Sequence, residues 1–307
     1  MPRARIVGWL AIALLVAGAG RAAAQAWVPP AHFGSVTFDV QAIDHYGRID
    51  PGQLALCCRT INMGIDVDVD YGITDRFSIS TGLPFELTKY HDAPYNVGMA
   101  AFLPYLAVDS CRCWHGGFQD VAFTARYNLI NVNTHAAKGA FVVTPSVSVG
   151  VPTHDYEYVG EAVIGFGLKE LRLGVDAGQR LDAILPGLAV QGRYSYAVVQ
   201  RAIGIAHNRS NGAFEGDYLV TRHLSARGIL SWQVTHGGLR FQDVPTFPDR
   251  ITEFHRLLRD NYLQVGGGAS YTWHQWDVSG AYFTTVRGSN THAVRLYNIS
   301  VGRSFGQ

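Results

Sequence analysis

The residues of this chain with the clearest chemical potential are charged side chains at alternate positions. Asp66, Asp68 and Asp70 alternate with Val67 and Val69, and a β-strand sends successive side chains to opposite faces. The three carboxylates therefore form a row along one face of a strand. A calcium loop must instead wrap its oxygens around the ion, so the row predicts an electrostatic role and not a metal site.

The same alternation places other charged residues on this polar face. The residues predicted to line a polar interior are Asp39, Asp66, Asp68, Asp70, Asp120, Arg126, Arg172, Arg180, Arg193, Asp217 and Arg227. Two interpretations of the set stand side by side. Opposed acidic and basic walls would create a transverse field that orients polar solutes, as rings of charge do in pores. Alternatively, acids and arginines would pair across a narrow lumen and hold it shut.

Four cysteines form two closely spaced pairs, and we expect all four to take part in disulfides: Cys57, Cys58, Cys111 and Cys113. Export to an oxidising compartment, which the N-terminus indicates, favours disulfides. Adjacent cysteines bridge each other only with distortion of the peptide, so cross-loop pairs are favoured and the connectivity stays open. A thiolate metal site is the alternative, but no zinc-family spacing is present; no metal and no cofactor are predicted.

The segment from His207 to Gly212 holds a histidine and a serine, the residue types of a base and a nucleophile. It resembles, imperfectly, the His-x-Ser-Asn-Gly stretch of outer-membrane phospholipase A and a similar run in lipid A deacylases. Such chemistry needs the base within about 2.6–3.2 Å of the hydroxyl. His207 and Ser210 are three residues apart and would point oppositely on a strand, so no catalytic residue is predicted, although a loop at this point would restore the geometry.

Alternation and turn residues define the elements that carry these side chains. They predict twelve strands, at 35–46, 63–73, 77–87, 118–129, 140–151, 169–181, 188–199, 209–220, 224–235, 262–273, 276–287 and 292–305. Strands of this length suit the ~9–11 residues that cross a membrane better than the ~5–6 of a sandwich. Short turns alternate with long loops, as in outer-membrane barrels. The sequence therefore predicts an all-β fold, a transmembrane antiparallel up-and-down β-barrel of twelve strands, outer-membrane type.

The polar face itself argues for a barrel over a soluble sandwich. Burying so many charges in a dry core would cost several kcal/mol per unpaired ion, whereas a hydrated lumen keeps them solvated or paired. The 34 Gly, 15 Tyr, 15 Phe and 6 Trp suit a sheet with aromatic girdles. A net charge of +1 without a basic run predicts no nucleic-acid partner.

The N-terminal residues 1–24 have the features of a secretory signal peptide, with Arg3 and Arg5 before an apolar run and small residues before Gln25. Residues 25–34 are predicted to form a short periplasmic segment, and 35–307 a single barrel domain. The short segment cannot fold into a plug domain, so occlusion of the lumen is expected from the loops or from lumen side chains. The longest loop, 88–117, is a candidate constriction; alternatively its aromatic residues pack it onto the barrel rim.

Five short stretches carry a resemblance to a known family: YGITDRFSIS (71–80), GFQD (117–120), HNRSN (207–211), RHLS (222–225) and WQVTHGG (232–238). In these the chain resembles the MetA-pathway of phenol degradation family, over roughly 33–305. The resemblance implies an outer-membrane barrel that passes small molecules, aromatic or apolar compounds among them. One departure is the end of the chain, where Gly306 and Gln307 follow Phe305, because barrels commonly finish on an aromatic residue that the assembly machinery reads.

These observations predict a porin-like channel or transporter of the bacterial outer membrane, not an enzyme, with a charged lumen gated by outer loops. The alternatives are a lipid-modifying barrel enzyme of the phospholipase or lipid A deacylase kind, and a closed structural or adhesive barrel that acts through its loops. The expected partners are outer-membrane lipid and lipopolysaccharide, the barrel-assembly machinery and a small-molecule solute. The oligomeric state is left open.

Overall fold

The computed structural model describes residues 26–50, 52–92, 111–132, 140–156, 158–243 and 253–306, so the predicted signal peptide lies outside it. The strands are β1 (Phe33–Asp50), β2 (Gln53–Ala55), β3 (Thr60–Gly72), β4 (Phe77–Tyr90), β5 (His115–Phe118), β6 (Val121–Tyr127), β7 (Ile130–Val132), β8 (Phe141–Val151), β9 (Glu170–Arg180), β10 (Leu188–Val199), β11 (His207–Leu219), β12 (Leu224–Gly237), β13 (Asn261–Trp273), β14 (Trp276–Ser289) and β15 (Thr291–Gly306). Short 3-10 turns at Phe241–Asp243 and His255–Leu257 lie between β12 and β13. Within these ranges, no helix has the length and apolar character to cross a membrane.

The strands form one antiparallel sheet that closes on itself. β15 pairs with β1 from Phe33 opposite Gly306 to Ile49 opposite Thr291, and every other wall strand pairs with its neighbours along the chain. β5, β6 and β7 share one position in the wall, and β2 is a short extension beside β1. The wall therefore has 12 strand positions, and the predicted closed barrel is confirmed.

The fourth predicted strand, 118–129, is interrupted twice, and each break lies beside a proline of a neighbouring strand. β4 pairs with β6 up to Gly82 and with β5 from Phe85 onward, on either side of Pro84. β8 likewise changes its partner from β7 to β6 on either side of Pro145. Because proline has no N–H to give to the ladder, the pairing register changes at both points.

The two faces of the wall differ in polarity. Phe38, Phe123 and Ile299 point outward and are 45%, 56% and 62% exposed. Their sequence neighbours point inward, and many of these inward positions are charged or hydroxylated. An apolar exterior around a polar interior is the arrangement of a barrel that lipid surrounds.

The connections distinguish the two ends of the barrel. Short connections at 73–76, 181–187 and 220–223 lie at one end, here called the turn end. The connections at 152–169, 200–206 and 238–260 lie at the other, here called the loop end. In membrane barrels the short turns face the periplasm and the long loops face outward.

Candidate functional site: the barrel interior

Five inward arginines of the wall are held by carboxylates close to them on the same sheet. The pairs are Arg126 with Asp70, Arg193 with Asp176, Arg172 and Arg209 with Glu170, and Arg227 with Glu215. Each pair joins one strand to itself or to a strand one or two positions away. The pairs therefore run along the wall, and they neutralise charge without bridging the lumen.

Asp39, Asp66 and Asp68, here called the aspartate group, lie together on β1 and β3, with Asp39 directly opposite Asp66. Asp39 accepts a hydrogen bond from Asn298 at 3.3 Å, and Asp66 accepts one from Gln41 at 3.3 Å. Among the residues that the structure describes, no arginine, lysine or histidine forms an ion pair with any of the three. This side of the wall therefore carries negative charge, which favours cations in the lumen.

Three further residues of the predicted polar face lie away from the aspartate group. Arg180 forms an ion pair of 2.9 Å with Asp182 at the turn end. Asp217 is directly opposite Arg227 in the pairing of β11 with β12. Asp120, between β5 and β6, accepts a hydrogen bond from the hydroxyl of Tyr156, so it joins the wall to the connection that follows β8.

That connection enters the barrel. It comprises residues 152–156 and 158–168 and is here called the inner loop. His115 Nε2 donates to the Ala162 carbonyl at 2.6 Å, and the Gln119 amide donates to the Ile164 carbonyl at 2.5 Å. Ala162 is fully buried, so the inner loop packs against the inside of the wall along β5 and the start of β6.

Tyr156 holds the two ends of the inner loop together and attaches them to the wall. Its hydroxyl donates to Asp120 and accepts the backbone N–H of Gly167 at 2.8 Å. Burial, together with the neighbouring Asp120, raises the pKa of Tyr156. The hydroxyl therefore stays protonated at neutral pH and remains a hydrogen-bond donor.

Glu161 ties the far part of the inner loop to strands on another side of the barrel. Its carboxylate pairs with Arg48 of β1, and Oε2 lies 3.2 Å from His292 Nε2 of β15. His255 Nδ1 of the β12–β13 connection lies 4.0 Å from the same oxygen. The Glu161 side chain is 5% exposed. Because β1 and β15 are at least three wall positions from β6, the inner loop spans part of the lumen.

The sequence leaves open whether the longest outer loop constricts the lumen or packs onto the barrel rim. Its aromatic residues Tyr95, Phe102 and Tyr105 lie outside the described residues. Among the described residues, the connection after β8, the inner loop, lies inside the barrel.

A cavity of about 180 Å³ lies between the inner loop and the wall formed by β6, β8, β9, β10 and β11. Phe166 of the inner loop lines it together with Asp120, Glu170, Arg172 and Arg209. The Arg209 guanidinium carbon is 5.8 Å from the centre of the Phe166 ring. A single water needs only about 10–15 Å³, so the cavity has room for a small solute.

Residues 26–32, here called the N-terminal segment, enter the lumen from the turn end. Ala26 is fully buried; its N–H donates to the Gln191 side chain at 3.3 Å, and its carbonyl accepts from the Thr144 hydroxyl at 2.7 Å. Gly178 leaves the space that Trp27 fills, since a Cβ there would lie 2.7 Å from the indole ring. The expectation that only loops and lumen side chains occlude the barrel is therefore wrong, because the wall itself holds this short segment in place.

The cysteines approach each other within each pair and not between pairs. The Sγ atoms of Cys57 and Cys58 are 2.6 Å apart, and the sulfurs of Cys111 and Cys113 are within bonding distance, with Cα atoms 5.1 Å apart. The favoured cross-loop pairing is thus not the arrangement in the structure, because residues so close in sequence are held together by the chain. Disulfide formation by these four residues stays a prediction.

His207 and Ser210 do not meet. His207 Nε2 donates to the Leu258 carbonyl at 2.6 Å on the inner side, whereas Ser210 lies at an outward position, as their three-residue spacing on a strand requires. The structure also shows three features that sequence patterns did not indicate: the inner loop, the N-terminal segment in the lumen, and the role of Glu161. The apolar residues Ala26 and Trp27 were the available clue to the second.

Comparisons with known proteins support the fold. No family model matches the sequence, and no curated protein matches it. Among solved structures, an outer membrane channel from Pseudomonas putida F1 shares 13% identity, covers 93% of this chain and 100% of its own, and has a TM-score of 0.69. The NanC porin (11% identity, 87% and 98% coverage, TM-score 0.49) and the KdgM porin with disordered oligogalacturonate (11%, 88% and 99%, TM-score 0.46) are less similar. The first likeness establishes a shared barrel fold.

Replacement of Gly178 by leucine is expected to expel Trp27 and Ala26 from the wall, because the new side chain occupies the space of the indole ring. The folded barrel should then lose residues from its N-terminus to proteinase K at least about tenfold faster, followed by mass spectrometry, since cleavage tracks the population of the released segment. Gly216→Leu is the matched control, because a Cβ at Gly216 meets no atom within 4 Å. Equal resistance of all three proteins would contradict the placement of the segment.

Proposed function

We propose that the protein is a channel of the bacterial outer membrane that passes small solutes, and that the inner loop and the N-terminal segment limit this passage. The observation that carries the proposal is the cavity beneath the inner loop, lined by charged and apolar side chains, in a lumen whose aspartate group has no cationic partner among the described residues. The fold shared with the Pseudomonas putida channel supports both the activity and the location.

The cavity also supports a class of solute. Its lining combines the ring of Phe166 with the guanidinium of Arg209, and both groups offer flat surfaces on which an aromatic ring can stack. Glu170 and Asp120 supply hydrogen-bond acceptors at the edge of the same space. Small aromatic compounds with a polar substituent fit this chemistry.

Asp66 and Asp68 should set the ion preference of the pore. In planar bilayers we expect discrete single-channel steps that prefer cations, and a ratio of cation to anion permeability that falls about twofold to fivefold in Asp66→Asn or Asp68→Asn. This is the effect of losing the ~1 kcal/mol that a unit charge exerts at close range in water. Reversal potentials in a salt gradient measure it.

Asp243→Asn is the matched control for this experiment, because Asp243 pairs with Arg240 in the connection after β12 and lies outside both the wall strands and the inner loop. Its reversal potential should stay near that of the unaltered protein. A silent bilayer from correctly folded protein would contradict the channel proposal and favour a closed structural barrel.

Glu161 should hold the inner loop in its present position. In Glu161→Gln the contacts to Arg48 and His292 lose a charge, and a hydrogen bond to a charged group contributes about 1.5–3 kcal/mol. Since 1.4 kcal/mol corresponds to a factor of ten, the open probability should rise about tenfold or more in single-channel recordings. Asp243→Asn, which removes a charge paired with Arg240 inside one connection, should leave it unchanged; an unaltered open probability in Glu161→Gln would show that the loop is held by other contacts.

A further inference from the structure

A polar cluster lies on the outer face of the barrel near the loop end of β10, β11 and β12. Ser210 on β11 is next to Arg209, whose guanidinium pairs with Glu170 on the inner side, so Ser210 faces outward. His236 on β12 is next to Thr235, which is fully buried and donates to the Asp260 carbonyl at 2.6 Å. The serine and the histidine therefore both lie on the outer side of the wall and not in the lumen; His236 is exposed there, whereas Ser210 is only 9% exposed.

Ser210 is hydrogen-bonded to two side chains of this face. Its Oγ lies 2.7 Å from His236 Nε2 and 3.1 Å from the hydroxyl of Tyr194 on β10. The first distance falls within the ~2.6–3.2 Å that a nucleophile and its general base require. His207, the candidate base in the sequence, is on the other face of the wall. The contact between Ser210 and His236 forms only when β11 and β12 pair in this register.

The hydrogen-bond directions suit an activated hydroxyl. When a neutral His236 carries its proton on Nδ1, its Nε2 accepts and the Ser210 hydroxyl donates to it. In that tautomer the remaining lone pairs of Ser210 Oγ are available to accept from the Tyr194 hydroxyl. A donor aimed at Oγ stabilises negative charge on that oxygen, which is the charge that develops when the serine attacks.

Neighbouring residues position the imidazole. The Tyr196 ring lies 5.8 Å from the His236 ring, and the Tyr196 hydroxyl accepts a hydrogen bond from the Asn208 amide at 3.3 Å. The Asn208 side-chain oxygen in turn accepts the backbone N–H of Val199 at 3.0 Å. Asn208 is directly opposite His236 in the strand pairing, so Tyr196 and Asn208 are positioning residues.

The depth of the cluster matches the outer part of a lipid leaflet. Ser210 is the fourth residue of β11 from the loop end, which places it about 10 Å along the strand at ~3.3 Å per residue. Exposed apolar side chains, Val198 and Val234, flank it. Tyr194, Tyr196 and Trp232 occupy the same level, and such aromatic residues mark the boundary between head groups and hydrocarbon. Acyl ester bonds of lipids lie at this boundary.

We propose that Ser210 and His236 are a nucleophile and a general base that cleave acyl esters of lipids in the surrounding leaflet. Ser210 Oγ attacks the ester carbonyl carbon while His236 Nε2 takes the hydroxyl proton. The bond from that carbon to the lipid alcohol then breaks, the alcohol leaves with the proton from His236, and the acyl group remains on Ser210 as an ester. Water, deprotonated by His236, cleaves this ester and releases the fatty acid with Ser210 restored.

An aromatic girdle alone accounts for the tyrosines but not for the serine bonded to a histidine. Girdle residues act by placing amphipathic rings at the head-group level. This role does not need a serine hydroxyl hydrogen-bonded to an imidazole. The proposal does not depend on the channel function, because the two sites lie on opposite faces of the wall.

The test uses the refolded mature chain in vesicles of phosphatidylethanolamine with a fluorescent acyl chain, and separately in vesicles that contain lipopolysaccharide. Release of fatty acid is expected from at least one of the two, with a fall of at least about a hundredfold in Ser210→Ala and in His236→Gln. A fluorophosphonate probe should label the unaltered protein on Ser210 and leave Ser210→Ala unlabelled. Ser225→Ala, at the turn end, is the matched serine control and should behave as the unaltered protein.

Folding and conduction are followed in parallel, so that a misfolded variant is recognised by its migration on unheated gels. Ser210→Ala should keep the single-channel conductance of the unaltered protein, because it faces away from the lumen. The proposal is overturned if the folded, unaltered protein releases no fatty acid from either lipid and takes up no probe. Equal labelling or equal hydrolysis by folded Ser210→Ala would overturn it as well.

Discussion

The requirement that every backbone N–H and C=O be paired where no water is available decides this architecture. A sheet with open edges cannot meet it in lipid, whereas a closed barrel can. The pairing of β1 with β15, which runs the length of both strands, is therefore the contact on which the other features depend. Once the sheet is closed, it has only an outside and an inside, and the alternation of each strand assigns every side chain to one of them.

Closure also explains why short segments can be held inside the barrel. A polar wall offers donors and acceptors to any backbone that enters, and the N-terminal segment uses Gln191 and Thr144 in this way. The inner loop uses His115 and the Arg48 guanidinium. Neither segment has to fold on its own, because the surrounding wall satisfies its polar groups. Pairing of arginines with carboxylates along the wall leaves the middle of the lumen available for them.

The strands could be predicted from the sequence because their period of two is a local property, visible in runs such as Ile65 to Tyr71. The two breaks in the fourth strand are not visible in its own sequence, because their causes, Pro84 and Pro145, lie on the partner strands. The contents of the lumen could not be predicted in the same way. Ala26 and Gln191 are 165 residues apart in the sequence, and Glu161 and His292 are 131 residues apart. The residues around each of them therefore do not indicate its partner. Ser210 and His236 are 26 residues apart and meet only through the register of two strands.

Arg209 and Ser210 show that adjacent residues of one strand can have different chemical roles on the two faces of the wall. The two residues are adjacent, yet Arg209 is bound to Glu170 beside the polar cavity and Ser210 to His236 on the outer face. The backbone between them is fixed by ladder bonds to β10 and β12, so neither side chain can turn to the opposite face without breaking the wall. A solute in the lumen and a lipid outside therefore meet different residues of the same strand. Selection acting on one face can change its chemistry while the other face, and the closure that both depend on, stays intact.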